Sequence, residues 1–182
     1  MYDLARCVVA TALLLAQGAI RQPPDHLTRV LSFANGTRGR VYRETVVTTH
    51  DPVEPAVLVV AFKLRGVHGW GHTLFRAESL LNTILFVGFP GFVSKLWLAH
   101  DEDEVYRGFY QWNEAGRADS YARALWWVLA LVSVRGSIRY VVLPGQRRDD
   151  LLADPTSMGP PASGSEDAWW RLVSVAPPLP PH

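Results

Sequence analysis

The residues best suited to chemistry in this 182-residue chain lie near its middle. The stretch HGWGH sets His68 and His72 in a glycine-rich loop. Glycines let such a backbone bend toward a ligand, and an imidazole changes charge near neutral pH, which makes His72 a candidate general base and His68 a candidate substrate contact. Two histidines four residues apart ligate a metal best from one face of a helix, and this loop is not a helix. A surface loop leading into the next helix is the plainer assignment for both. Farther on, Trp97, Tyr110 and Trp112, with Trp70 from the loop, could wall a cavity for an aromatic molecule. Tyr110 and Asn82 would orient its oxygen substituents by hydrogen bonds, and Lys95 would steady a phenolate or carboxylate. The competing assignments are core or interface packing for the aromatics and a lysine that reaches solvent or pairs with an acid. The run Asp101 to Glu104, DEDE, lacks the spacing of a calcium loop and is expected as a solvated turn. Cys7 is the only cysteine, which excludes an intramolecular disulfide and a multi-thiolate zinc site. Neither a nucleophile elbow nor a phosphate-cradling glycine motif is present.

These side chains need elements to hold them. AVLVVAFKLR, from Ala56, is dense in β-branched residues and predicts a strand. LFRAESLLNTILFVGF has helical apolar spacing. Pro90 to Trp112 reads as two strands joined by the acidic turn. Asn113 is a good N-cap for a helix that places Ala118, Tyr121, Ala122, Leu125, Leu129 and Val132 on one face. GSIRYVVLPG is the last strand. The order is β-α-β-β-α-β, so residues 56–145 are expected to form an α+β, ferredoxin-like domain with an antiparallel sheet. Residues 1–55 supply an N-terminal helix and a connecting segment that includes the strand-like RVYRETVVTT. Residues 146–182 form a Pro/Gly-rich tail expected to be mostly disordered, with Trp169-Trp170 its one docking element.

The strands are apolar on both faces. Leu58, Val60, Phe62 and Leu64 oppose Val57, Val59 and Ala61, while Phe92, Leu96 and Leu98 oppose Val93 and Trp97. Helices cover one sheet face of such a fold, so something must cover the other. A second sheet from an identical subunit is the expected cover, hence a homodimer. The formal net charge of +1 argues against a protein that binds nucleic acid by neutralising phosphates. RGFYQW imitates the start of an RNA-recognition strand, but Tyr110 and Gln111 stand where that signature needs a small residue and an aromatic one. The apolar N-terminal run, residues 4–20, is short of the roughly 20 residues that span a bilayer. It is a docked helix, a membrane or partner contact, or a signal peptide that Asp3 fits poorly. The cytoplasm is the expected location, with membrane association through that run as the alternative.

On PGFVSKLWL (Pro90 to Leu98) and GFYQWNEAGRADSYARAL (Gly108 to Leu125) the chain resembles the dimeric α+β barrel superfamily of antibiotic-biosynthesis monooxygenases, in particular the small YdhR-type proteins. The resemblance implies a pocket between sheet and helices that takes small, often aromatic molecules. It also implies activities that include cofactor-free oxygenation, haem chemistry, isomerisation and decarboxylation. The expectation drawn from it is a monooxygenase-like enzyme without cofactor, haem being the alternative, acting on an aromatic or polyketide-type secondary metabolite. A non-catalytic dimeric binding or adaptor protein is the other reading.

Overall fold

The computed structural model describes residues 4–47, 52–66, 87–159 and 166–177. The helix expected after the first strand of the β-α-β-β-α-β pattern lies outside the described residues, as do His68, Trp70, His72 and Asn82. The strands are β1 (Ile20–Arg21), β2 (Val30–Phe33), β3 (Arg38–Val47), β4 (Ala56–Lys63), β5 (Phe92–Leu98), β6 (Val105–Trp112), β7 (Arg139–Pro144) and β8 (Leu172–Ala176). The helices are α1 (Leu4–Ala16), α2 (Ala115–Val132) and α3 (Arg148–Ala153), with a 3₁₀ turn at Glu166–Trp169. One antiparallel sheet runs β7-β4-β6-β5-β3-β2-β8, with β1 beside β3. Its first four strands have the ferredoxin-like order: fourth, first, third and second strand of the expected domain.

Alternation along these strands divides the core in two. Leu58, Val60, Tyr110 and Trp112 face α2, which buries Ala118, Tyr121, Ala122, Leu125 and Leu129 against them. Val132, expected on that stripe, is half-exposed. Val57, Val59, Leu96, Leu98 and Phe109 face the other way. Phe92 joins the α2 side, although alternation from Leu96 predicts the opposite. The register shifts between Phe92 and Ser94, and one extra residue flips everything before it to the other face. Asn113 does not cap α2. The N-cap is Glu114 without a side-chain bond, and Asn113 Oδ1 accepts from the Val53 backbone N–H at 2.8 Å.

The second sheet face is covered by this chain itself. β3 pairs with β5 through Val41 to Val46 and with β2 through Arg38 to Arg40, so the sheet curls over its own face. Leu31, Phe33, Val41, Leu151, Leu152, Trp170 and Leu172 then pack on Val57, Val59, Leu96 and Phe109. The tail is thus not mostly disordered where it is described. α3 buries Arg148, Leu151 and Leu152, and β8 pairs with β2 from Val30↔Ala176 to Phe33↔Leu172. The apolar demand that suggested a second subunit is met within one chain, and that sheet face carries no argument for a dimer. Among the described residues most of the outward apolar side chains sit on helices, such as Val9 and Leu13 on α1 and Trp127 and Leu131 on α2, while Val53, Val134 and Val173 lie outside them. α1 docks through Leu14 and through Thr11, whose hydroxyl accepts the Gly88 N–H at 2.8 Å. No described helix is long and apolar enough to cross a membrane.

Candidate functional site

Lys95 and Trp97 stand two apart on β5 and share the α2 face; Tyr110 is directly across from Lys95 on β6. The Lys95 ammonium nitrogen lies 3.0 Å from the centre of the Trp97 ring and 4.5 Å from that of Tyr110. Between them β6 carries Gly108. A Cβ there would come within 2.7 Å of the Tyr110 ring and 3.2 Å of Lys95 Cε, so only a glycine lets both side chains lie across the strand. Leu125 and Leu129 of α2, with Phe62 and Tyr106, complete a cavity of ≈ 40 Å³.

The lysine is buried, 8% exposed. Among the described residues its nitrogen meets aromatic faces and no carboxylate. The charge that acts on it is another cation, Arg43, whose guanidinium stacks 4.0 Å over the same Trp97 ring. Arg43 faces Trp97 at the point where the β3–β5 register shifts after Val41. Desolvation first, and repulsion by Arg43 second, hold the Lys95 amine well below the usual lysine range. Burial pushes the Tyr110 phenol well above its usual range, so it is protonated at neutral pH. The cleft therefore offers a readily deprotonated amine beside a phenol that keeps its proton. Trp97 Nε1 donates to Thr45 Oγ1 at 3.2 Å, which fixes the ring between the two cations.

Of the residues expected at a site, the structure brings together Lys95, Trp97 and Tyr110. Trp112 is not with them: it is fully buried, edge-on to Phe92 with ring centres 5.6 Å apart, and does not line the cavity. Lys95 does not reach solvent, and among the described residues it pairs with no acid.

A second polar cluster was not expected from the sequence. On the other side of the sheet Glu44, 2% exposed, accepts from His26 Nδ1 at 2.8 Å and from Arg148 Nη2 at 2.7 Å. The Arg148 backbone N–H donates to Gln111 Oε1 at 2.6 Å. Burial alone would raise the Glu44 carboxyl, but the His26 hydrogen bond and the Arg148 charge outweigh it and the net shift is downward. These residues border a wide polar cleft of ≈ 370 Å³. The acidic turn is also not simply solvated. Asp101 is buried, accepts the Asp103 and Val105 N–H groups at 2.9 Å and pairs with the buried Arg107 at 2.5 Å. Arg107 continues to Thr37 Oγ1 and to the Trp169 carbonyl, which ties the tail to the sheet.

A scan against models of known protein families found no match, and neither did a search of curated protein sequences. Among solved structures, a ferredoxin-fold protein from Listeria monocytogenes 4b F2365, described as related to antibiotic-biosynthesis monooxygenases, is 12% identical with a TM-score of 0.45. A monooxygenase-like protein from Listeria innocua is 12% identical with a TM-score of 0.44. An anthrone oxidase-like protein is 10% identical with a TM-score of 0.39. Each overlap covers 62% of this chain, and respectively 66%, 66% and 58% of the other, under two thirds of each. What this chain has in common with the ferredoxin-fold description is the order β7-β4-β6-β5 and a helix packed on one face of it.

Proposed function

We propose that this protein is a monooxygenase-like enzyme that needs no cofactor and acts on an aromatic or polyketide-type small molecule, only the reacting end of which enters the ≈ 40 Å³ cavity between β5, β6 and α2. The observation that carries the reading is the buried Lys95, set against two aromatic rings and without an acid partner among the described residues. A phenolic or benzylic substrate gives its proton to that amine, and the ammonium so formed is the counter-ion of the substrate anion. The pair forms in an apolar space where its attraction is strong. The electron-rich anion then supplies the electrons that molecular oxygen needs. A CH₂ group becomes a carbonyl, one oxygen atom stays in the product and the other leaves as water, so no external reductant is required. Trp97 and Tyr110 are the walls. His72, Asn82, Trp70 and His68 keep the parts proposed from sequence, as a further base and further substrate contacts.

The test is oxygen uptake by purified protein with a panel of polycyclic phenols and benzylic ketones, together with the absorption spectrum of the protein as isolated. Lys95→Met should lower turnover by about 10²-fold or more, the scale of general-base catalysis. Trp97→Ala should weaken binding. Full turnover in the lysine variant would remove it as base, and a Soret band would replace the cofactor-free reading with haem chemistry. The outward Trp127 and Leu131 of α2, with Val9 and Leu13 of α1, favour a second reading as a non-catalytic binding protein. Absence of any turnover in the wild type would favour it.

A further inference from the structure

The chain holds two lysines, and they occupy opposite environments. Lys63 is partly exposed and pairs with Glu104 at 2.9 Å. Lys95 lies in the cleft, its nitrogen over Trp97 and Tyr110, beside the Arg43 cation. Such a setting has a consequence beyond acid–base work, because a desolvated amine beside another cation is the arrangement that makes lysine a nucleophile. We infer that Lys95 is a covalent capture site for small aldehydes and ketones, its amine condensing with the carbonyl carbon to form an imine.

Four features of the site support the step. No carboxylate among the described residues ties the amine up as an ion pair. The amine borders a cavity of ≈ 40 Å³, and a single water needs on the order of 10–15 Å³ on that measure, so a carbonyl compound of a few heavy atoms fits. Gly108 leaves the path of the side chain across β6 open, with Lys95 Cε already 3.2 Å from where a Cβ would stand. The Trp97 and Tyr110 rings stabilise a cation without competing as nucleophiles, and the protonated imine is a cation in the same place. The other titratable groups around the amine are the Tyr42, Tyr106 and Tyr110 phenols and the Arg43 guanidinium, while α2 contributes Leu125 and Leu129. Arg107 also borders the cavity from β6, but its guanidinium lies over Phe33 on the other sheet face. Arg107 is engaged by Asp101.

The step balances without an oxidant or a reductant. The nitrogen lone pair forms a C–N bond as the carbonyl π pair moves to oxygen, and one amine proton follows to give the carbinolamine. The second amine proton and the hydroxyl leave as water, and the C=N bond remains. Within this picture Arg43 is a positioning residue that acts through the charge state of Lys95.

The inference uses the cleft of the proposed oxygenase but none of its oxygen chemistry, so it is tested anaerobically with acetaldehyde as the probe. Sodium cyanoborohydride reduces any imine to a stable ethylamine, and peptide mapping locates it. At pH 7 Lys95 should gain an ethyl group at least about tenfold faster than Lys63, since each unit of pKa depression is worth tenfold in free amine. Lys95→Arg should leave only the slow labelling of Lys63 and the labelling of the N-terminal amine, which peptide mapping separates from Lys95. Arg43→Gln, with folding checked by circular dichroism, should slow the labelling of Lys95 at pH 7 and move its pH profile upward. Labelling of Lys95 no faster than Lys63, or only after unfolding in urea, would overturn the inference. That result would leave the oxygenation reading to its own oxygen-uptake assay.

Discussion

Among the described residues four cations are buried around this sheet, Arg43, Lys95, Arg107 and Arg148, and they are treated in two ways. On the curled side, Arg148 pairs with Glu44 and Arg107 with Asp101, each inside a set of further hydrogen bonds. On the α2 side, Lys95 has aromatic faces and a like charge. The paired arginines join segments far apart in the sequence: Arg148 brings α3 to β3, and Arg107 brings the stretch before β8 to β6. Their geometry is that of struts. Burying an amine with no acid partner, as for Lys95 among the described residues, costs several kcal/mol as an order of magnitude when it carries a charge. A polar group kept at a cost in stability, beside a cavity, is a functional candidate on physical grounds.

The comparison can be broken most drastically at the shared core. Val59 is fully buried within the single chain, under β2, α3 and Trp170. Val59→Asp should therefore yield insoluble or unfolded protein, and a soluble, folded monomer on light scattering and circular dichroism would refute the intramolecular cover. Next in size is Glu44→Ala, which leaves the buried Arg148 with only the exposed Asp149 as an ion partner and should cost about 3 kcal/mol in denaturant unfolding. The Glu44 carboxyl is depressed in the folded state, so its contribution is present above the ordinary glutamate pKa and lost as pH falls through the folded value. The variant should lack that acid-side loss.

Lys95→Met should act in the opposite direction. It removes a desolvated amine and keeps the volume, so stability at neutral pH should rise by about 1 kcal/mol or more. The folded amine titrates below the unfolded one, so between those values the unfolded state holds more protons and stability increases with pH up to the ordinary lysine range. That alkaline rise should flatten in the variant. The smallest effect belongs to the surface: Arg38→Ala breaks an ion pair with Glu102 in which both side chains are more than half exposed and screened by water, and should leave the denaturant midpoint unchanged within error.

Much of this architecture was legible because it is local. β4, the β5–β6 hairpin and the buried stripe of α2 follow from alternation and helical spacing, and Lys95 and Trp97 share a face because they stand two apart on a strand. What escaped the sequence depends on long-range pairing. β8 is a short apolar run between proline-rich stretches that becomes a strand only by adding to β2. His26, Glu44 and Arg148 meet from three distant segments with no shared spacing. Arg43 reaches Trp97 at a register shift that no periodicity announces. The homodimer rested on an apolar face whose cover came from segments read as connector and tail.

The central claim is that Lys95 is an amine held well below the ordinary lysine range. A chain with two lysines makes this directly measurable. Protein labelled with ¹³C at the lysine ε-carbons should give two signals, that of Lys95 being the one absent from Lys95→Arg. Followed from pH 5 to pH 11, the Lys95 signal should pass its midpoint well below the ordinary lysine value, and at a higher pH in Arg43→Gln than in the wild type. A Lys95 midpoint at or above the ordinary lysine value would contradict the account.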